Sequence, residues 1–257
     1  MENKDLATNP KVLDLIKKFP GYGTVRFWPE KNLYQFVARL CYTPHIFKPD
    51  TSEYGLVFSK AANDRVPGYT CAFGIPPEID VAPLQSAIAA ALREKGLIKQ
   101  GQRVPNKFSV LRTAGSIEEE GRKALPVCST SAWYQGKTKS SNKPVVWANV
   151  GGQRKELAEG QVRGGYWALL SVTVGAFDAK NASGQTVNQG TQLYLNDLCL
   201  LFPDEIIESG GGVADPGASY GALDDLPPSD IDILDAEEVD ADTGDDGTTS
   251  YMDGIPF

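Results

Sequence analysis

Apolar positions along this chain change period from one stretch to the next and then thin out towards the end. In "PKVLDLIKKF", Val12, Leu13, Ile16 and Phe19 fall at helical spacing, opened by Asn9-Pro10 and closed by Pro20-Gly21. From Thr24 onward the texture is that of strands: "LYQFVARLCY", "YGLVFSKA" and "GYTCAFGI", each bounded by Pro, Gly, Asn or Asp. "DVAPLQSAIAAALREKGL" then predicts a longer helix. Leu84, Ile88, Ala91 and Leu92 form its apolar stripe, Asp80 is its cap and Gly96 its stop. After the polar passage "SIEEEGRK", strand texture returns in "CSTSAWYQG" and "KPVVWANVG", which flank a loop from Lys137 to Lys143. "GGYWALLSVTVGAF" and "GTQLYLNDLCLLF" follow, and Gly175 inside the first predicts a bulge or bend. The pattern predicts a mainly β fold, an OB-fold-like barrel with an inserted helix and extra strands. A β-sandwich shares the same periodicity.

The organisation expected is an N-terminal helical extension over residues 1–23, an OB-type domain over 24–207, and a disordered acidic tail over 208–257. Charge sharpens that division. Sixteen of the 33 acidic residues follow Phe202, and none of the 25 basic residues does. Up to Phe202 the body is therefore near +8 and the part beyond it near −16, although the whole chain carries −8. A body of that sign suits a polyanionic partner, and the tail has the sign of a competitor for it.

Other chemistries find little support. Cys41, Cys71, Cys128 and Cys199 lie far apart, and His45 is the single histidine, so zinc ligation lacks the usual local pairing. Buried thiols in a reducing cytoplasm are the expectation. No apolar run approaches a membrane span. Gly136-Lys137-Thr138 ends like a phosphate-binding loop, but Ser131 stands where that motif needs glycine. "GGVADPG" falls in the expected tail and cannot open a dinucleotide-binding helix. Glu118, Glu119 and Glu120 read as a solvated charge run rather than metal ligands. No constellation of an enzyme, metal site or cofactor site emerges.

Aromatic and basic residues interleave between positions 131 and 167: Trp133, Tyr134, Lys137, Lys139, Lys143, Trp147, Arg154, Lys155, Arg163, Tyr166 and Trp167. Single-stranded nucleic acid is held by this combination, with planar rings under bases and cations on phosphates. Each tryptophan has core packing as its alternative. Trp147 in "PVVWAN" is the first candidate for the core, whereas Trp133 and Tyr134 border the Lys-rich loop and lead as stackers.

The last residues, "MDGIPF", resemble the C-terminus of bacterial single-stranded DNA-binding proteins. Ile255, Pro256 and Phe257 match its tip and Asp253 an acid before it, while Gly254 stands where Asp is usual. The resemblance implies that the tip docks on replication and repair enzymes, the Phe side chain filling an apolar pocket. From Arg39 to Asp204 the order of features resembles bacteriophage single-stranded DNA-binding proteins with an elaborated OB fold and an acidic tail. "YTCAFGIPPEID", "SAWYQGKTKSSNKPVVW" and "GGYWALLSVTVGAFDAK" carry that likeness. The expectation is a sequence-nonspecific binder of single-stranded DNA in phage replication or recombination. Its tail would compete for the DNA groove and recruit replication or repair proteins. Self-association is compatible with the sequence. The rival reading is an adaptor or inhibitor that uses the tip to occupy host enzymes and binds no DNA.

Overall fold

The computed structural model describes residues 9–52, 55–59, 64–180 and 183–207. The tail over 208–257, with Asp253, Ile255, Pro256 and Phe257, lies outside the described residues. The elements are α1 (Pro10–Lys18), β1 (Arg26–Trp28), β2 (Leu33–Asp50), β3 (Leu56–Ser59), β4 (Asp64–Ile75), α2 (Ala82–Glu94), β5 (Arg112–Thr113) and α3 (Ala114–Glu118). They continue with β6 (Tyr134–Ser140), β7 (Val145–Val150), β8 (Gln153–Glu156), β9 (Trp167–Lys180) and β10 (Thr186–Phe202).

Strands β6, β4, β2, β9 and β10 follow one another as antiparallel neighbours. β10 then returns to β6 through one parallel pair, Leu193 with Thr138. The result is a five-stranded ring with OB-type connectivity, closed by a single rung rather than by an even ladder all round. β1 extends it beside β2, β3 beside β4, β5 beside β6, and β7 with β8 beside β10.

Alternation along the strands sends one set of side chains inward. Phe36, Leu40, Phe73, Ile75, Leu170 and Leu193 are fully buried, with the Phe36 and Phe73 rings 5.3 Å apart. α2 adds Leu84, Ile88 and Leu92, with Ala91 half-buried beside them. Each such aliphatic side chain contributes about 1.5–3 kcal/mol on burial. The N-cap of α2 is Val81, one position after the expected Asp80, whose carboxylate accepts from the Ala82 amide at 2.9 Å, and Gly96 takes a left-handed φ of 74° after the helix.

An ionic clasp joins the two ends of the described chain. Arg39, 5% exposed, donates from Nε to the Gly165 carbonyl at 3.0 Å and lies 3.6 Å from the Asp204 carboxylate. Asp204 also accepts from Asn9 Nδ2 at 2.8 Å and from Trp167 Nε1 at 2.7 Å. The residue that opens α1, strands β2 and β9, and the segment after β10 thus meet at one carboxylate.

Two expectations are corrected here. The loop predicted from Lys137 to Lys143 is strand as far as Ser140, because buried Thr138 pairs with Cys71, its hydroxyl accepting from the Cys71 amide at 3.1 Å. Gly175 is not a bulge: it pairs in register with Gln192, and the register shifts between the two strands fall elsewhere along β10. Glycine suits the position because a Cβ would lie 2.8 Å from Cε2 of Tyr194.

Candidate nucleic-acid interface

From Lys137 to Ser140, β6 alternates between half-buried and buried positions. Its inward positions carry Gly136, packed against Phe73, and Thr138, whereas Lys137 and Lys139 stand on the outward face. Opposite them on β4 lie Ala72 and buried Thr70, and both lysines are half-buried. Burial lowers the pKa of the Lys139 ammonium from its ordinary value, and the charges of Lys137 and Arg65 lower it further against an opposing pull from Asp50. The three cations therefore share one local field. In chain order, β4 and β6 are the second and third strands of the ring, the pair whose face binds oligonucleotides in OB folds generally.

Beside this face runs a groove of about 540 Å³, lined by Lys107, Arg112, Arg122 and Lys137 together with Glu120, Gln135 and other residues. Lys137 belongs to both, so the positive surface is continuous from Lys139 into the groove. The sequence reading does not single out Arg65, Lys107, Arg112 or Arg122. They are scattered along the chain, on strands, a short turn and the segment after α3, and only the fold gathers them.

A second aromatic and basic surface lies on β7 and β8. Trp147 is half-buried, and the Arg154 guanidinium sits 5.1 Å from its ring centroid. Trp147 Nε1 donates to Asp197 on β10 at 3.5 Å, and Ser171 Oγ donates to the same carboxylate oxygen at 3.1 Å. Gln35 Nε2 donates to Ser171 at 3.2 Å, carrying the row to β2. Burial raises the pKa of the Asp197 carboxyl above its ordinary value, outweighing the bonds from Ser171 and Trp147. On β1, the Arg26 guanidinium lies 4.8 Å from the Trp28 ring centroid, and Phe27 stacks on Tyr34 at 4.6 Å. "RFW" offers the same residue types as the stretch from 131 to 167 but stands outside it.

The remaining expected residues part company. Trp133, Tyr166 and Trp167 are buried at 2%, 8% and 1% exposure, and the Trp133 and Trp167 rings lie 6.1 Å apart. Their faces are packed in the core, so Trp133, expected to lead as a stacker, is a buried residue, while Trp147, the first candidate for the core, is half-buried. Tyr134 shares the inward parity of Gly136, and its hydroxyl accepts from Gln85 of α2 at 3.1 Å, away from the lysine face. Lys143 is exposed in the turn between β6 and β7. Lys155 alternates with Arg154 and points to the opposite side of β8. Arg163 is half-buried in the turn before β9. Glu120, read as part of a solvated run, is paired with Arg112 at 2.6 Å.

None of the four cysteines is in a disulfide, and burial pushes the thiols of Cys71, Cys128 and Cys199 up to about 12. Among the described residues no three His, Cys, Asp or Glu side chains group to hold a metal ion, and no helix is long and apolar enough to cross a membrane.

No family model matches the chain, and no curated protein does. Among solved structures, the chain is similar to the single-stranded DNA-binding protein from bacteriophage Enc34, at 16% identity and a TM-score of 0.46 over 74% of this chain and 91% of that one. The same phage protein in complex with single-stranded DNA matches at 17% identity and a TM-score of 0.43, covering 69% and 90%. A third similar structure is gp2.5, a single-stranded DNA binding protein encoded by bacteriophage T7, at 15% identity and a TM-score of 0.40 over 72% and 96%.

Proposed function

We propose that this chain is a sequence-nonspecific single-stranded DNA-binding protein that coats and protects unpaired strands during phage DNA replication or recombination. The observation that carries the reading is the placement of Lys137 and Lys139 on the outward face of β6, sharing a field with Arg65 and running into a basic groove. Phosphates along the strand replace condensed counterions on these cations, which favours binding without reading bases. Trp147 supplies a surface on which a base stacks, a contact that every base can make. Binding only the unpaired state shifts hairpins towards open strand by mass action. Nothing in this account calls for a catalytic group or a cofactor.

The acidic segment over 208–257 is the internal competitor: its carboxylates match the phosphate backbone in sign, and bound DNA displaces it. Once displaced, Asp253, Ile255, Pro256 and Phe257 are the docking peptide for replication or repair enzymes.

A gel shift with oligo-dT across a salt series, on the full chain and on a chain ending at Ser209, tests both parts. Binding that weakens steeply with salt, and strengthens when the tail is removed, is the expected result. A full chain and a shortened chain that both ignore oligo-dT in dilute buffer would overturn the reading in favour of an adaptor acting through its tip.

A further inference from the structure

The groove beside the lysine face contains an arginine whose bonding is incomplete. The Arg112 side chain is 11% exposed. Its Nη2 donates to Glu120 Oε1 at 2.6 Å and to the Ser116 carbonyl at 3.0 Å. Its Nε is buried and has no hydrogen-bond partner. Nε and Nη2 form one edge of the guanidinium, a fork that two oxygens of a single anion fill together. Glu120 places one oxygen on Nη2 and leaves the other tine empty.

The surroundings favour an anion over a neutral occupant. Lys107, Arg122 and Lys137 line the same groove, against the single carboxylate of Glu120. Glu120 is well exposed, with 43% of its side chain open to solvent, so its pair with Arg112 is readily given up. A phosphodiester carries two non-bridging oxygens and a full negative charge, which suits the empty fork better than a carboxylate held by one oxygen. Through Lys137 the groove continues from the face already described.

We infer that Arg112 binds a backbone phosphate of the DNA strand, and that Glu120 occupies this seat in the unliganded protein and yields it when the strand arrives. The inference rests on the proposed single-stranded DNA binding and adds to it a residue and an exchange of partners. Glu120 thereby acts as a built-in carboxylate competitor within the folded body, independent of the acidic tail.

The test is oligo-dT affinity of the full chain over a salt series, for the unaltered protein and for E120Q, E119Q, R112Q and R112Q combined with E120Q. E120Q is expected to bind about three- to tenfold tighter, while E119Q, which removes the same charge one position away, changes affinity by less than about twofold. R112Q is expected to bind about tenfold more weakly, with a salt slope shallower by about 0.7. In the R112Q background the gain from E120Q disappears, and with a neutral methylphosphonate oligomer the R112Q defect disappears. If R112Q proves unstable in thermal melting, the comparison of E120Q with E119Q decides, since both positions are exposed. Equal effects of E120Q and E119Q, or an unchanged salt slope in a folded R112Q, would overturn the inference while leaving DNA binding standing. Failure of the unaltered chain to bind oligo-dT would instead overturn the proposed function itself.

Discussion

The Arg154 guanidinium lies over the Trp147 indole, 5.1 Å from its centroid, while the indole nitrogen points at Asp197. The ring is thus held in a fixed plane by a cation on one side and a carboxylate at its edge. A base that stacks here meets a ring already oriented, with little side-chain freedom left to lose. Trp147→Ala is expected to cost about 1–3 kcal/mol of oligo-dT affinity. Trp133→Ala should instead lower folding stability by about 3–5 kcal/mol, the range for emptying a buried aromatic site. Titration of oligo-dT by anisotropy, beside urea melts of both variants, separates the two roles.

Lys137 and Lys139 predict a charge effect of defined size. Changing both to Gln removes two phosphate contacts, which should make the salt slope shallower by about 1.4 and weaken binding about tenfold or more at low salt. A slope equal to that of the unaltered chain would place the strand elsewhere on the surface.

The Arg39–Asp204 clasp predicts a stability effect with a sign. Burial tends to raise the pKa of the Asp204 carboxyl, but the bonds from Asn9, Trp167 and the Glu205 amide, together with Arg39, hold it below its ordinary value. A carboxyl depressed in the folded state contributes stability that is fully present above the unfolded value of 3.8 and lost as pH falls through the folded value. Asp204→Asn should therefore cost about 3 kcal/mol at neutral pH, and the gap from the unaltered protein should narrow below pH 3.8. Denaturant melts at pH 7 and in strong acid measure it.

Asp197 predicts the opposite trend. Burial raises its carboxyl, so the folded state binds a proton more readily than the unfolded chain does, and stability falls as pH rises from 3.8 through the folded value. Asp197→Asn keeps an oxygen for Ser171 and Trp147 but removes the buried charge. It should raise the melting temperature at pH 7, with the advantage fading towards pH 4; a lower Tm at pH 7 would contradict this.

Gly175→Val tests the close approach of Tyr194. A Cβ there would meet the ring at 2.8 Å, so the aromatic must move, at a cost of about 1–3 kcal/mol. Urea midpoints for this variant alone and with Tyr194→Ala should show the penalty relieved in the pair.

The helices are legible in the sequence because their signals are local. Asn9 and Pro10 open α1 as their types predict, and Leu84, Ile88 and Leu92 face the core at helical spacing. The long strands β2, β4, β9 and β10 show through their apolar runs. β6 shows only at its start, within "CSTSAWYQG", because its inward side chains beyond Tyr134 are Gly136, Thr138 and Ser140, which carry no hydrophobic alternation. For the same reason Lys137 and Lys139 read as a loop. Trp133 and Trp147 exchange roles because burial depends on which segment covers a strand, and the cover comes from distant parts of the chain. Arg112 and Glu120 are eight residues apart, but the buried edge of the arginine is visible only once β5 lies against β6.

The meeting of β6 with β10 has a mechanical consequence. A ladder of paired residues joins β10 to β9, but one rung and the bond from Gln192 to the Lys139 carbonyl at 2.7 Å hold β10 to β6. Parting β10 from β6 therefore has less to undo than parting it from β9. Lys139 stands directly on that hem, so a strand bound across the proposed face would meet compliance where a purine needs more room than a pyrimidine. If the chain coats strands without reading bases, as proposed, that give serves where a rigid wall would discriminate.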